Sequence, residues 1–596
     1  MKVAILARFT ASTRSIESIL LRRFEKKIVS TVAGTPAKCF LMSKYMQVNF
    51  KTLNAHAGCG ESDCHGGKQF SSKLLLLPIF LGVIVGLLNL EWMKVYQLIN
   101  APKADSLVYL TEAYRDYWIL RDEGIAKLFA KYVAGSHQTS PMLMWGGVVS
   151  FLFLGLSSAN AYVFIAAAYL TWIAGVVYLA WQIRSDGSYA IASGILAALL
   201  PSVVLHGLRS FMLDFVAAVP FIWATAMLLK SDLLRRRREA LLYGLLCGMA
   251  ILFRTTIAPF FLAHLLIVIV LAVIRKRSIN FVNAGLAVLV GIAVAAWFLI
   301  PNLSRILGYY GYWATVAGVE TGEFSYSDNL AFYLGLLPFY HLSFSLFIFV
   351  VSWTGLAILA LMGKMIINKS DRDRNVSLTV PGGLMALLLL GLVPMLILSL
   401  YPSRAASVDF PYIAAFVLIP PLLWREVMPN SKLFYIPMAV LMLAFSMLQF
   451  NYLVRAPFPV SEFQNSRERE VLSFILDDAE KRGLTHISIG NTAIHQHNST
   501  SYQFWVLANY FPLWRGKVDG TALGRTDSAD ELAAMNKDAD YVIVLENYKA
   551  DWHPNNLVAP AANRLLENRY GMTLLGVRWL LPDGVTLRVL TKKSKM

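Results

Sequence analysis

The chain has 596 residues, of which 57% are hydrophobic and only 15% are charged, and its mean hydropathy is +0.54. Soluble proteins average about a quarter charged residues, so this composition excludes an ordinary soluble protein and predicts a polytopic membrane protein. The formal net charge is +17, but the basic residues cluster in the N-terminal tail and in short loops such as 235–238 and 275–277. That distribution follows the positive-inside rule, which places these loops in the cytoplasm and argues against nucleic-acid binding.

Residues 1–72 are basic, mixed in composition and without a secretory signal of the usual layout, so they are predicted to form a cytoplasmic extension. Cys59, Cys64 and His65 look like half of a metal site. Their spacing matches no standard zinc ribbon and no second pair follows, so a tail without a metal is the preferred interpretation.

The predicted membrane domain covers residues 73–455. Its first apolar run, 73–92, is long enough to cross a bilayer and leads to an external loop at 93–140; a second external loop is predicted at 302–340. Further apolar runs lie at about 142–158, 160–183, 189–207, 211–230, 240–256, 257–274, 281–301, 341–363, 381–401, 411–424 and 432–452. Because the basic loops place the C-terminal region outside, we expect an odd number of crossings, eleven or thirteen, with one run between 142 and 207 not crossing.

The composition becomes that of a soluble protein in the C-terminal region, 456–596. Residues 486–490 and 540–546 read as buried strands separated by helix-like stretches, which predicts an external α/β domain. No glycine-rich phosphate loop accompanies the strands, so nucleotide binding is not expected there. The predicted fold class is therefore mainly α, a polytopic helical membrane domain of about 11–13 spans followed by a soluble α/β domain.

The first external loop contains a segment with helical periodicity that begins at Asp105. Its apolar side chains recur at Leu107, Leu110, Tyr114 and Tyr117. A helix lying on the membrane surface would bury this stripe and hold Asp105 and Glu112, seven residues apart, near one face. The two interpretations are a catalytic role for Asp105 and a surface helix whose acids only meet water.

Further ionisable residues recur at the predicted external ends of spans. His137 precedes Pro141 at the entry of an apolar run, and Arg209 and Asp214 stand five residues apart at the start of another. Ionisable groups at such boundaries are candidates for function, although a charge there can also merely anchor a helix.

The order of four motifs resembles the C-type (GT-C fold) glycosyltransferases, in particular the bacterial protein-mannosyltransferase and aminoarabinose-transferase branch. These motifs are "DSLVYLTEA" from Asp105, "HQTSPMLMW" from His137, "LRSFMLDF" from Leu208 and "GLLCGMAILFR" ending at Arg254. The resemblance covers roughly residues 73–452. The chain has Ser106 where the family often has a second acid, and its His137–Pro141 motif is longer and less proline-rich. The missing second acid argues against a metal-binding pair of carboxylates, because a lone carboxylate makes a poor site for a divalent cation. No cofactor is therefore assigned, and whether a divalent cation takes part is left open.

The resemblance implies transfer of a sugar from a polyprenyl-phosphate donor to a hydroxyl of a cell-envelope glycan, lipid or protein, on the external face of the bacterial cytoplasmic (inner) membrane. One carboxylate must accept the proton of the attacking hydroxyl, and Asp105 is the candidate base. The leaving lipid phosphate calls for fixed cations, and an arginine fork suits a phosphate. The candidates for the donor phosphate are Arg404, Arg209, Arg254 and His137.

Glu112 and Asp214, together with Tyr309, Tyr310 and Trp313, are predicted to contact the substrate. The three aromatic residues could stack on sugar or isoprenoid, or could belong to the aromatic belt of the interface. The alternative functions are a transporter or flippase, and a polymerase or ligase, of lipid-linked saccharides. No internal repeat supports a transporter. The acidic segment follows the first span, whereas a polymerase or ligase usually has its main catalytic loop late in the chain.

Overall fold

In the computed structural model the described residues are 76–99, 104–320, 325–367, 379–401, 404, 406–429, 431–455, 467–493, 503, 506–507, 511–514, 517–520, 526–548, 554–581 and 584–592. They all fall within Leu75–Met596, one of the two units into which the chain divides. The predicted N-terminal extension, with Cys59 and Cys64, lies outside the described residues, as does the side chain of Trp313.

The membrane domain is built from α-helices. In chain order they are α1 (Leu77–Ile99), α2 (Ala104–Asp122), α3 (Ile125–Val133), α4 (Met142–Leu154), α5 (Ser158–Ile183), α6 (Gly187–Ala198), α7 (Leu213–Lys230), α8 (Arg237–Phe253), α9 (Phe261–Arg275), α10 (Phe281–Glu320), α11 (Tyr326–Leu336), α12 (Phe344–Ile367), α13 (Thr379–Ser399), α14 (Phe410–Val427) and α15 (Ser431–Arg455). Short π-helical segments occupy Val203–Gly207 and Leu337–Leu342, and 3-10 segments occupy Thr255–Phe260 and Ala406–Asp409.

Among the described residues, eight helices are long and apolar enough to cross a membrane. The protein is therefore a multi-pass membrane protein with mainly helical architecture, as predicted. Three further apolar helices, α4, α6 and part of α15, are shorter. The 13 residues of α4 and the 12 of α6 reach only about 20 Å and 18 Å at 1.5 Å per residue, against a hydrocarbon core of about 30 Å. They fall in the region where one run was expected not to cross.

The second predicted loop, 302–340, differs from the expectation because α10 does not end at the apolar boundary. It continues as one 40-residue helix from Phe281 to Glu320, through Pro301. The buried side chain of Asn302 donates from Nδ2 to the carbonyls of Phe298, at 2.9 Å, and Tyr132, at 2.7 Å. A helix that leaves the bilayer keeps its own backbone hydrogen bonds, so the edge of the apolar stretch does not mark its end.

Close packing of α8 against α10 depends on glycine. Gly244 and Gly248 lie one turn apart on α8, and α10 passes over them. A Cβ on Gly244 would overlap the carbonyl oxygen of Ala287, and one on Gly248 would come within 2.6 Å of the carbonyl oxygen of Gly291. Small residues spaced in this way let two apolar helices approach backbone to backbone. The approach fixes the end of α8, where Arg254 follows.

The C-terminal region is an α/β domain, as predicted. Its described elements are α16 (Glu468–Lys481), β1 (Ile487–Asn491), β2 (Val518–Gly520), α17 (Ala529–Asn536), β3 (Tyr541–Glu546), α18 (Pro554–Asn568), β4 (Met572–Leu574), β5 (Trp579–Leu580) and β6 (Thr586–Lys592). The sheet order is β2-β1-β3-β6-β4, with β5 also on β6. The two strands expected from the sequence are neighbours: β1 pairs in parallel with β3, and Ile489 lies opposite Tyr541. Strand β6 runs antiparallel to β3.

Candidate active site

Asp105 lies in the first turn of α2, with an exposed side chain. Tyr109, one turn further along, is nearly buried beside it. The surrounding protein raises the pKa of Asp105; the positive charge of Arg254 opposes this rise and the negative charge of Asp214 adds to it. A carboxylate that is accessible and yet desolvated lies in a concave site, and a raised pKa makes it a stronger base.

Asp214 and Arg254 face this carboxylate as an ion pair. Asp214 stands in the first turn of α7, where an acid is favoured by the helix dipole, and its side chain is 1% exposed. Arg254 caps the end of α8; its Nε lies 3.1 Å from Asp214 Oδ1 and donates to Thr256 Oγ1 at 3.1 Å. Five predicted residues therefore come from four helices to one place, since Tyr309 and Tyr310 of α10 also lie within electrostatic range of Arg254.

A hydrogen-bonded chain connects this pair of residues with Arg404. The hydroxyl of Tyr310 bonds Thr255 Oγ1 at 2.6 Å, and the Tyr310 carbonyl accepts from the hydroxyl of Tyr401 at 2.9 Å. The Tyr401 carbonyl accepts from Asn329 Nδ2 at 2.8 Å, and Asn329 Oδ1 accepts from Arg404 Nε at 2.6 Å. The chain runs through two tyrosines and links Arg404 to Thr255, the residue that follows Arg254.

Glu112 belongs to a second polar cluster between α2 and α3. Its carboxylate accepts from Arg115 at 2.5 Å and from Lys131 at 3.0 Å. Lys131 also donates to Asp116 at 2.7 Å, and the hydroxyl of Tyr132 donates to Asp116 at 2.6 Å. Burial would raise the pKa of Glu112, but the charges and hydrogen bonds of Lys131 and Arg115 outweigh it and lower that pKa. These contacts tie the surface helix α2 to α3.

His137 lies at the edge of that second cluster. Its backbone N–H donates to Asn302 Oδ1 at 2.9 Å, and its ring lies 4.6 Å from the ring of Tyr132, centroid to centroid. Burial lowers the pKa of His137, Lys131 lowers it further and Glu112 opposes them, so the imidazole is neutral at neutral pH. A neutral ring can donate one hydrogen bond to a phosphate but contributes no charge.

The described contacts of Arg209 are with α1. It stands in the turn before α7, where its Nε donates to Asn89 Oδ1 at 2.9 Å and its guanidinium lies over the ring of Trp92, 3.8 Å from the centroid. Both partners belong to α1. The two residues "R" and "D" of the motif 208–215 therefore separate, with Arg209 toward α1 and Asp214 toward Arg254.

Sequence reasoning missed a buried network that involves both π-helical segments. His341 Nδ1 bonds Ser202 Oγ at 2.7 Å, and His341 Nε2 bonds Asp409 Oδ2. The ring of Tyr340 stacks on the ring of His206 with centroids 4.2 Å apart. Single π-helical turns like these two segments recur at functional sites. No local sequence pattern marks the residues of this network. Tyr109, which lies beside Asp105, was also missed, although its position one turn after Asp105 could have indicated it.

No group of three or more His, Cys, Asp or Glu side chains that could hold a metal ion occurs in the described part of the chain.

No family model matches the chain, and no curated protein matches it. Among solved structures, it is similar to ArnT from Cupriavidus metallidurans in the apo state, with 12% identity, a TM-score of 0.49 and coverage of 86% of this chain and 97% of that one. The same protein bound to undecaprenyl phosphate is 11% identical, with a TM-score of 0.49 and coverage of 88% of this chain and 99% of that one. A third similar structure is the archaeal oligosaccharyltransferase AglB from Archaeoglobus fulgidus, in complex with an inhibitory peptide and a dolichol-phosphate. It is 12% identical, with a TM-score of 0.43 and coverage of 87% of this chain and 74% of that one.

Proposed function

We propose that the chain is a membrane glycosyltransferase that moves a sugar from a polyprenyl-phosphate donor to a hydroxyl acceptor at the membrane surface. The observation that carries the proposal is the convergence of Asp105, Asp214 and Arg254, from three separate segments, beside Tyr109. An accessible carboxylate with a raised pKa and an oriented guanidinium are the two groups that such a transfer needs. The order of motifs in the sequence supports the same class.

In the proposed step, the acceptor oxygen forms a bond to the anomeric carbon while the bond from that carbon to the phosphate oxygen breaks. The hydroxyl proton passes to the Asp105 carboxylate, and the electron pair of the broken bond leaves with the lipid phosphate. A single displacement of this kind inverts the anomeric centre. The raised pKa of Asp105 brings its basicity closer to that needed near neutral pH.

The negative charge that grows on the leaving phosphate is met by Arg254 and Arg404. Among the described residues, Arg254 donates from Nε to Thr256 and forms its ion pair with Asp214 through the same atom, and Arg404 donates from Nε to Asn329. With Nε engaged in this way, the terminal amino groups of both residues are the proposed donors to the phosphate. A planar fork can donate two hydrogen bonds to a phosphate, and preorganised donors stabilise developing charge most effectively.

The acceptor belongs to the cell envelope and is a glycan, a lipid or a protein. We place the reaction on the external, periplasmic side of a bacterial cytoplasmic membrane, with the α/β domain on the same side, because the basic loops 235–238 and 275–277 are typical of cytoplasmic loops. Tyr309 and Tyr310, which lie within electrostatic range of Arg254, are the proposed contacts of the donor or acceptor sugar. A dependence on a divalent cation is tested by adding a chelator to the assay.

The test compares lipid-linked sugars and envelope glycans by mass spectrometry in cells without the protein and in cells complemented with wild type, Asp105→Asn or Asp122→Asn. Asp122 is a matched control because it lies on the same helix with a 54% exposed side chain, paired with Arg121. We expect wild type and Asp122→Asn, but not Asp105→Asn, to restore one glycan sugar. The donor lipid should accumulate in the cells in which that sugar is missing. Full restoration by Asp105→Asn, at matched protein levels, would refute the assignment and favour a transporter of lipid-linked sugars.

A further inference from the structure

Arg209 occupies a prepared position at the end of the first span. The last part of the apolar segment Leu77–Lys94 supplies both of its partners, Asn89 and Trp92. The indole ring supports one face of the guanidinium, and the Asn89 amide oxygen fixes its rotation through Nε. Stacking of this kind holds the planar fork in one orientation, which lowers the entropy lost when a ligand binds.

The charge of Arg209 is not balanced within the described part of the chain, where no carboxylate lies within ion-pair distance of it. Its Nη2 is buried and has no hydrogen-bond partner among these residues. Burial lowers the pKa of the guanidinium to about 10, so the group is still charged at neutral pH. A desolvated cation without a counter-charge is unfavourable, and a buried donor without an acceptor adds to that penalty.

Other arginines of this protein solve the same problem with a carboxylate. Arg254 pairs with Asp214, Arg425 with Asp186 and Arg588 with Glu546. An anchoring arginine that only faced lipid headgroups would extend its nitrogens toward water, whereas Nη2 of Arg209 is enclosed while the side chain as a whole is partly exposed. The guanidinium is thus partly exposed and keeps one donor that no described residue accepts.

We propose that Arg209, held by Trp92 and Asn89, binds a phosphate-type oxyanion at a site separate from that of Arg254. A guanidinium donates strong, charge-assisted hydrogen bonds to phosphate oxygens, and the position of Trp92 within the first span places the site at the membrane boundary. The phosphate can belong to a lipid headgroup or to a free phosphate. This site stands whether or not the Asp105 group transfers a sugar.

The experiment uses the full-length chain in detergent with the substitutions Asp214→Asn, Arg254→Gln and Arg404→Gln as the parent, so that both cations of the proposed donor site are removed and the buried Asp214 carboxylate is not left unpaired. Binding of labelled farnesyl phosphate and of labelled inorganic phosphate is measured by equilibrium dialysis, with farnesol as the neutral arm. Arg209→Gln and Arg209→Lys are compared in this parent, and Arg121→Gln is the control because Arg121 is exposed and paired with Asp122.

We expect the parent to bind farnesyl phosphate and not farnesol, and we expect Arg209→Gln to weaken that binding at least about tenfold, as loss of a charge-assisted hydrogen-bonded pair should. Arg209→Lys should weaken it less, because it keeps the charge and loses the fork. Equal binding of inorganic phosphate identifies the oxyanion alone as the ligand, and preference for farnesyl phosphate identifies a lipid. Binding by Arg209→Gln within twofold of the parent overturns the proposal. So does a parent whose unfolding temperature is unchanged by either phosphate, and this measurement does not depend on the folding of the Arg209 variants.

Discussion

Arg254 and Asp214 form an ion pair in which the acid is almost completely buried: Nε and Oδ1 are 3.1 Å apart, and the side chains are 22% and 1% exposed. Removing one member of a buried pair leaves the other charge without compensation, which costs about 3–5 kcal/mol, whereas removing both is far milder. We therefore expect Arg254→Gln to lower the free energy of unfolding in detergent by roughly that amount and the double variant with Asp214→Asn to recover most of it. Arg277→Gln, in the exposed pair with Asp232, should change it by less than about 0.5 kcal/mol. Equal stability of the single and double variants would contradict this account.

The pH dependence of transfer should report the charge of Asp105. Its pKa is raised, so the deprotonated base is lost at a higher pH than for an ordinary aspartate, and activity should fall as the pH falls through that raised value. Arg254 lowers this pKa and Asp214 raises it. Hence Arg254→Gln should move the acidic limb of kcat/KM to higher pH, and Asp214→Asn should move it to lower pH. If the kcat/KM profiles of the two variants do not shift in opposite directions, Asp105 is not the base that titrates.

The contact between α8 and α10 should not tolerate a methyl group. Gly244→Ala would place a Cβ on the carbonyl oxygen of Ala287, and overpacking of this kind costs about 1–3 kcal/mol. Gly285→Ala on α10 is the matched control, because a Cβ there meets no atom within 4 Å. We expect only the first variant to lower the unfolding temperature. It should also lower transfer activity, since α8 carries Arg254 at its end.

The buried bond between His341 and Asp409 should matter more than a similar pair at the surface. His341 is 0% exposed and bonds both Asp409 and Ser202, so His341→Gln leaves these buried groups imperfectly paired. We expect it to reduce stability by about 1–3 kcal/mol, the penalty for an unsatisfied buried polar group. His486→Gln breaks a bond to Asp519 between side chains that are 54% and 74% exposed, and it should have almost no effect. Equal losses would argue that burial of the pair is irrelevant.

Glu112 should stabilise the junction of α2 and α3 rather than take part in transfer. Its pKa is lowered by Lys131 and Arg115, so its contribution to stability is present above its ordinary pKa of 4.5 and is lost as the pH falls through the lowered value. Glu112→Gln should therefore reduce stability at pH 7 and make the remaining stability less dependent on pH in that acidic range. A large loss of kcat with unchanged stability would instead place Glu112 at the substrate, as the sequence suggested.

The parts of the site that could be predicted from sequence are those where an ionisable residue interrupts an apolar run. Asp214 and Arg254 were proposed in this way, because a charge at a membrane boundary needs a reason, whereas Asp105 was proposed from the helical periodicity of the segment that begins there and from the order of the motifs. Strand β3 could be predicted because residues 541–545 form a continuous apolar run, which is typical of a buried strand, and β1 because Ile487 and Ile489 alternate with small or polar residues. The contact of Glu112 with Lys131 could not be predicted, since Lys131 reaches it only through the turn between α2 and α3. The bond between His341 and Asp409 joins residues 68 positions apart, neither of which lies in an unusual local pattern.

The length of α10 has a mechanical consequence. Its 40 residues extend about 60 Å, and its apolar part, Phe281–Gly311, is 31 residues or about 46 Å long, against a hydrocarbon core of about 30 Å. Such a helix must tilt, or else project apolar turns beyond the hydrocarbon. Tyr310 lies at the outer end of this part and bonds Thr255 and Tyr401 there. A thicker or thinner bilayer that changes the inclination of α10 therefore strains the hydrogen bonds that link Thr255, next to Arg254, with Arg404. The chain length of the surrounding lipids then affects the geometry of the site.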